Sequence, residues 1–154
     1  MTRTLNEFLS QIRSLVASGE DRTQKARQLA ETIRNLENYR WVGIYDVGEG
    51  LVSIIAWSGP GPPAYPAFPT SKGLTGFAIE QKRTVLVGDV RRDSRYLTTF
   101  GGTLSEIIIP ILSSADKRVI GTIDVESGLE NAFSERDRQV LEQCAQVSQP
   151  LWEQ

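Results

Sequence analysis

The chain has 154 residues, 40% hydrophobic and 23% charged, with 17 Lys and Arg against 19 Asp and Glu. That size suits one domain, 1–154, with a buried core, and a net charge of −2 gives no general attraction to nucleic acid. One cysteine excludes an intrachain disulfide or a multi-cysteine metal site, and the lack of histidine removes Ser-His-Asp, Cys-His and ordinary zinc chemistry. No apolar run approaches the ~18 residues of a membrane span, and no signal peptide opens the chain. A cytoplasmic protein without catalytic residues, metal or cofactor is the expectation.

Taken in order, residues 4 to 17 place Leu5, Phe8, Leu9, Ile12, Leu15 and Val16 at spacings of three and four, an amphipathic helix. Ser18 to Asp21 breaks it and caps a second helix over about 21 to 38, with Ala26, Leu29, Ile33 and Leu36 on one face. These helices, 1–38, serve as core packing or as a dimer seam. Arg40 to Val47 reads as a strand, Gly48-Glu49-Gly50 as a hairpin turn and Leu51 to Ser58 as the return strand. The Pro- and Gly-rich stretch Gly59 to Ser71 predicts an irregular loop, whose Tyr65 and Phe68 either cover a binding site or patch the sheet.

Lys72 to Gly76 leads into a short helix over about 74 to 82, whose start is either an anion site or an ordinary helix entry. Thr84 to Val87 is a short strand, and Gly88 to Gly102 a polar connection. Its Arg91, Arg92 and Arg95 either face solvent or neutralise an acidic pocket. Ser105 to Leu112 and Arg118 to Glu126 are apolar, β-branched runs that read as buried strands. Alternation puts Val119, Gly121, Ile123 and Val125 on one side of the second strand and Thr122, Asp124 and Glu126 on the other. Glu106 takes the corresponding position on its neighbour. These carboxylates mark either strand ends meeting water or an Arg at the sheet rim, or an acidic wall for a ligand with an amino group or other cation. Ser134 with Asp137 starts a last helix over about 135 to 149, with Val140, Cys144, Val147 and Leu151 along one stripe and Cys144 an inert filler. The reading is α+β: a mostly antiparallel sheet of five or six strands (39–130) with the terminal helices, including 131–154, on one face. Loops and short helices cover a pocket on the other.

The ordered motifs W-V-G-I-Y, K-G-L-T-G-F-A, V-G-D-V, S-E-I-I-I-P-I and V-I-G-T-I-D-V-E-S, then A-F-S-E-R-D, resemble a GAF domain across about residues 20 to 150. Within GAF proteins they are most similar to the free methionine-(R)-sulfoxide reductases. That resemblance implies a pocket lined by Trp41, Tyr45, Glu106, Asp124 and Glu126, the last being Glu where the reductases have Asp. It also implies cysteines near Tyr65, at Thr75 and near Thr99, and none of these positions is Cys. Sulfoxide reduction needs an attacking thiolate and a resolving thiol. The expectation is therefore a retained pocket without redox chemistry, with Tyr65 and Thr75 added to its lining. A noncatalytic sensor of a small amino- or cation-bearing molecule leads, ahead of a divergent reductase and a dimerisation scaffold with a vestigial pocket. The partners foreseen are that ligand and a second copy joined through the terminal helices, with neither nucleic acid nor membrane.

Overall fold

The computed structural model describes residues 3–98 and 101–154. Helix α1, Leu5–Val16, begins at Thr4, whose hydroxyl accepts from the Glu7 amide while the Glu7 carboxylate accepts from the Thr4 amide. Helix α2, Arg22–Leu36, is capped by Asp21 through the Gln24 amide. Both bury the stripes set by their spacing: Phe8, Leu9, Ile12 and Val16 on α1, and Ala26, Leu29, Ala30 and Ile33 on α2.

Six strands follow: β1 Trp41–Val47, β2 Leu51–Ser58, β3 Ala67–Pro69, β4 Val85–Val87, β5 Ser105–Leu112 and β6 Val119–Ser127. They form one antiparallel sheet in the order β3-β2-β1-β6-β5-β4. Helix α3, Gly73–Gln81, lies between β3 and β4, and helix α4, Glu135–Ser148, follows β6. Among the described residues no helix is long and apolar enough to cross a membrane.

The helices divide the sheet into two unlike faces. Against α1, α2 and α4 the strands turn Val42, Ile44, Ile107, Ile109, Ile111, Ile123 and Val125, one continuous apolar core. Ser134 and Asp137 form the reciprocal cap foreseen for α4. Its buried stripe is Leu141, Cys144, Ala145 and Ser148, with Val140 and Val147 only partly buried, a rotation of about one residue from the stripe the sequence suggests. After Ser148 the chain tightens into a 3-10 turn, 149–153, started by Pro150. That turn carries Trp152, whose indole N–H donates to the Tyr45 carbonyl at 2.9 Å. Gly121 makes room for the ring, because a Cβ there would lie 2.0 Å from the indole nitrogen.

One expectation is overturned in the Pro-rich stretch. Residues Ala67–Pro69 are a strand paired with Leu51–Ser53. Phe68 is the anchor: its buried ring meets the Tyr45 ring edge-on at 5.9 Å between centroids. Proline is tolerated there because β3 is the outer strand, where a missing N–H leaves no partner unsatisfied.

Candidate functional site

The other face of the same strands carries the polar alternates. The register lines them up in rows: Trp41 beside Glu126 beside Glu106, then Gly43 beside Asp124 beside Ile108, then Tyr45 beside Thr122. A break in the β1–β2 register between Ile44 and Tyr45 lies at the same level. Glu106, Asp124 and Glu126 are 2%, 1% and 0% exposed, and their carboxyl oxygens lie within 4.8 Å of one another, close enough to share one small cation. The rim reading of these carboxylates therefore gives way to a buried acidic cluster. The Thr103 hydroxyl donates to Glu126.

Aromatic rings share this face of the sheet with the cluster. Trp41 and Tyr45, both fully buried, stand 6.5 Å apart between centroids, and they can lean together because Gly43 separates them. A Cβ at Gly43 would come 2.4 Å from the Trp41 ring and 2.8 Å from that of Tyr45. The Trp41 indole N–H donates to the Gly61 carbonyl at 2.9 Å, which ties the Pro-rich segment to the same wall. Phe68, Gly73, Leu74, Thr75, Leu97, Glu106 and Ile108 enclose a void too tight for a water molecule, so the site is shut in this conformation.

Burial is the largest influence on Glu106 and pushes its carboxyl well above the ordinary carboxylate range, with the Glu126 charge adding to it. Burial likewise raises the Tyr45 phenol, reinforced by Asp124, Glu126 and Glu106. The Tyr45 and Thr122 hydroxyls are buried without a hydrogen-bond partner among the described residues. An assembly of three carboxyls, two unengaged hydroxyls and two ring faces is suited to a small group carrying N–H donors or positive charge.

Tyr65, by contrast, is 46% exposed and outside this cluster, while Thr75 is buried at the void. Thr99 lies outside the described residues. The arginines do not neutralise the cluster: Arg91 pairs with Asp89 and Glu130, Arg92 with Asp89, and Arg95 with Asp93 while stacking 4.3 Å over Phe77. Each is held by a carboxylate of its own loop or of the segment after β6. Cys144 lies in the helical core on the far side of the sheet, its thiol pushed up to about 12 by burial. Thr122 was open to the alternation that exposes Asp124, whereas nothing in the spacing pointed to Thr103.

The GAF domain pattern matches residues 19–147. The chain belongs to the GAF family. This GAF domain is similar to GAF domain-containing protein A of Dictyostelium discoideum, 27% identical over 140 residues that cover 91% of this chain and 87% of that protein. It is 34% identical to the free methionine-R-sulfoxide reductase of Saccharomyces cerevisiae over 76 residues, 49% of this chain and 42% of the reductase. The structure of free methionine-R-sulfoxide reductase from Neisseria meningitidis, in complex with its substrate, superimposes with a TM-score of 0.86 at 28% identity, covering 97% of this chain and 88% of that one. The GAF domain thus has relatives in the reductase branch, yet its single cysteine is buried away from the acidic cluster.

Proposed function

We propose that this GAF domain is a noncatalytic sensor of a small molecule bearing an amino group or another compact cation. The observation that carries the reading is the buried group of Glu106, Asp124 and Glu126 beside Trp41 and Tyr45, with two hydroxyls that have no hydrogen-bond partner among the described residues. In this reading the carboxylates hold the cation, the rings face it, and Thr75 closes the pocket from α3. Tyr65 joins only if the Pro-rich segment folds inward. The site is shut, so a ligand must displace the wall of Phe68, Leu74 and Leu97 to enter. Sensing would then pass to a cytoplasmic homodimer through α1 and α4, whose Leu5, Leu15, Val140 and Val147 remain only partly buried.

Thermal unfolding against methionine, its two sulfoxides, other amino acids, polyamines, cyclic nucleotides and divalent metal ions tests this. At 100 times its dissociation constant a ligand adds about 2.7 kcal/mol, several degrees for a domain of this size. Asp124→Asn with Glu126→Gln should remove the shift. An undiminished shift in that variant sinks the site assignment, and a shift with metal ions alone reassigns it.

A divergent reductase is the second reading, favoured by the likeness to the enzyme solved with its substrate. Two thiols near a sulfoxide are needed for that chemistry, and this sequence has one cysteine. Sustained turnover of free methionine-(R)-sulfoxide with a thiol reductant would establish it over the sensor.

A further inference from the structure

We infer that the acidic cluster takes up its cationic ligand in exchange for a proton held among Glu106, Asp124 and Glu126, so that affinity rises with pH over the range in which the free cluster would lose that proton. This rests on the amino-ligand reading above and names what regulates it. Glu106 and Glu126 are direct cross-strand neighbours, with Asp124 two positions along the same face. Three like charges within 4.8 Å, buried and shut away from water, repel one another too strongly for all to be ionised without a cation.

Among the described residues, the groups that face Glu106 offer it little relief. Facing Glu106 are Asp124 and Glu126 from β6, the Tyr45 phenol from β1 and the Tyr96 phenol from the segment before β5. From α3, β3 and β4 come the uncharged Thr75, Leu74, Phe68 and Val87. Nearby Arg95 is engaged by Asp93, and the Arg40 guanidinium donates to the Gly101 carbonyl. The second sign of a ligand is the Tyr45 hydroxyl, fully buried, acted on by all three acids and without a hydrogen-bond partner among the described residues.

An ammonium brings three N–H donors, one for each carboxyl group, and one positive charge that replaces the charge of the departing proton. As it enters, the shared proton leaves a carboxyl oxygen for solvent, and no bond of the ligand is made or broken. Because the cluster titrates as a unit, the proton belongs to the group rather than to one oxygen. A ligand presenting only acceptors would do the opposite, since it would need the proton kept in place.

The test measures binding of methionine, both methionine sulfoxides and putrescine to the full chain at pH 6, 7 and 8. Calorimetry is run in two buffers of different ionisation enthalpy. Release of about one proton per ligand, with up to about tenfold tighter binding per pH unit, is the expected result for a one-proton exchange. Glu106→Gln should bind with a flatter pH dependence and little release. Binding without release, or with proton uptake, overturns the inference while leaving a ligand site in place. No binding by any of the four at any pH overturns the amino-ligand reading and the inference with it. An infrared spectrum of the unliganded protein at pH 7 gives a ligand-independent check. The carbonyl stretch of a neutral carboxylic acid should be present in wild type and lost in Glu106→Gln, and its absence from wild type also overturns the exchange.

Discussion

The two faces of the sheet are built by the same strands, residue by residue, yet they obey opposite rules. On β6, Ile123 and Val125 point into the helical core, while Asp124 and Glu126, their immediate neighbours, are equally buried on the other side. One face is held by apolar area removed from water. The other holds like charges at close range, which opposes folding unless a proton or a ligand intervenes. Burial alone therefore does not separate stabilising positions from functional ones; the chemistry of what is buried does.

The sharpest way to break this contrast is to truncate adjacent residues. Ile123→Ala should lower stability by about 2–5 kcal/mol in denaturant unfolding, because it opens a cavity in a close-packed core. Asp124→Asn, one residue on and as deeply buried, should lose far less or gain stability. Equal losses at the two positions would show that the acidic face is structural after all.

A smaller effect follows from Glu106. Its carboxyl titrates above its ordinary value of 4.5 in the folded protein, so the folded state holds a proton that the unfolded chain gives up. The associated stability is fully present below 4.5 and is lost as the pH rises toward the folded value. One proton corresponds to a slope of up to about 1.4 kcal/mol per pH unit. Glu106→Gln should flatten that slope over the interval from pH 4.5 up to the folded value. A wild-type stability that rises over this interval would contradict the assignment.

The smallest effect is on Cys144, on the helical side. With its thiol pushed up to about 12 and no exposed surface, it should react with a thiol reagent only as fast as the protein unfolds. Cys144→Ala should leave any ligand response unchanged. A response lost with Cys144 would link the two faces chemically.

Much of this division was legible in the sequence, because period-two alternation in two β-branched runs sorts Ile123 from Asp124 without reference to the rest of the fold. The helix starts were legible for a similar reason: Thr4 with Glu7 and Ser134 with Asp137 are local hydrogen-bonding units. What escaped depended on distant partners. Strand β3 forms in a Pro-rich stretch because Phe68 finds Tyr45 and the edge of β2, neither adjacent in sequence. The arginines of the 88–102 connection turn away from the cluster because Asp89, Asp93 and Glu130 reach them first. The closed state of the pocket depends on how β3, α3 and Leu97 meet, a matter of packing that no spacing encodes.

The central pairing of the sheet, Trp41 beside Glu126, also governs how the molecule is assembled in time. β1 comes from the first third of the chain and β6 from the last, so the strands that carry both faces cannot zip together from a local turn. Closing so long an intervening loop is slower than forming the local hairpins of β1 with β2 and of β5 with β6. During that interval the hairpins of β1 with β2 and β5 with β6 have neither their helices nor each other. The carboxylates of β5 and β6, a liability to the finished fold, would then keep two very apolar segments in solution and act as gatekeepers against strand-to-strand association before the sheet closes.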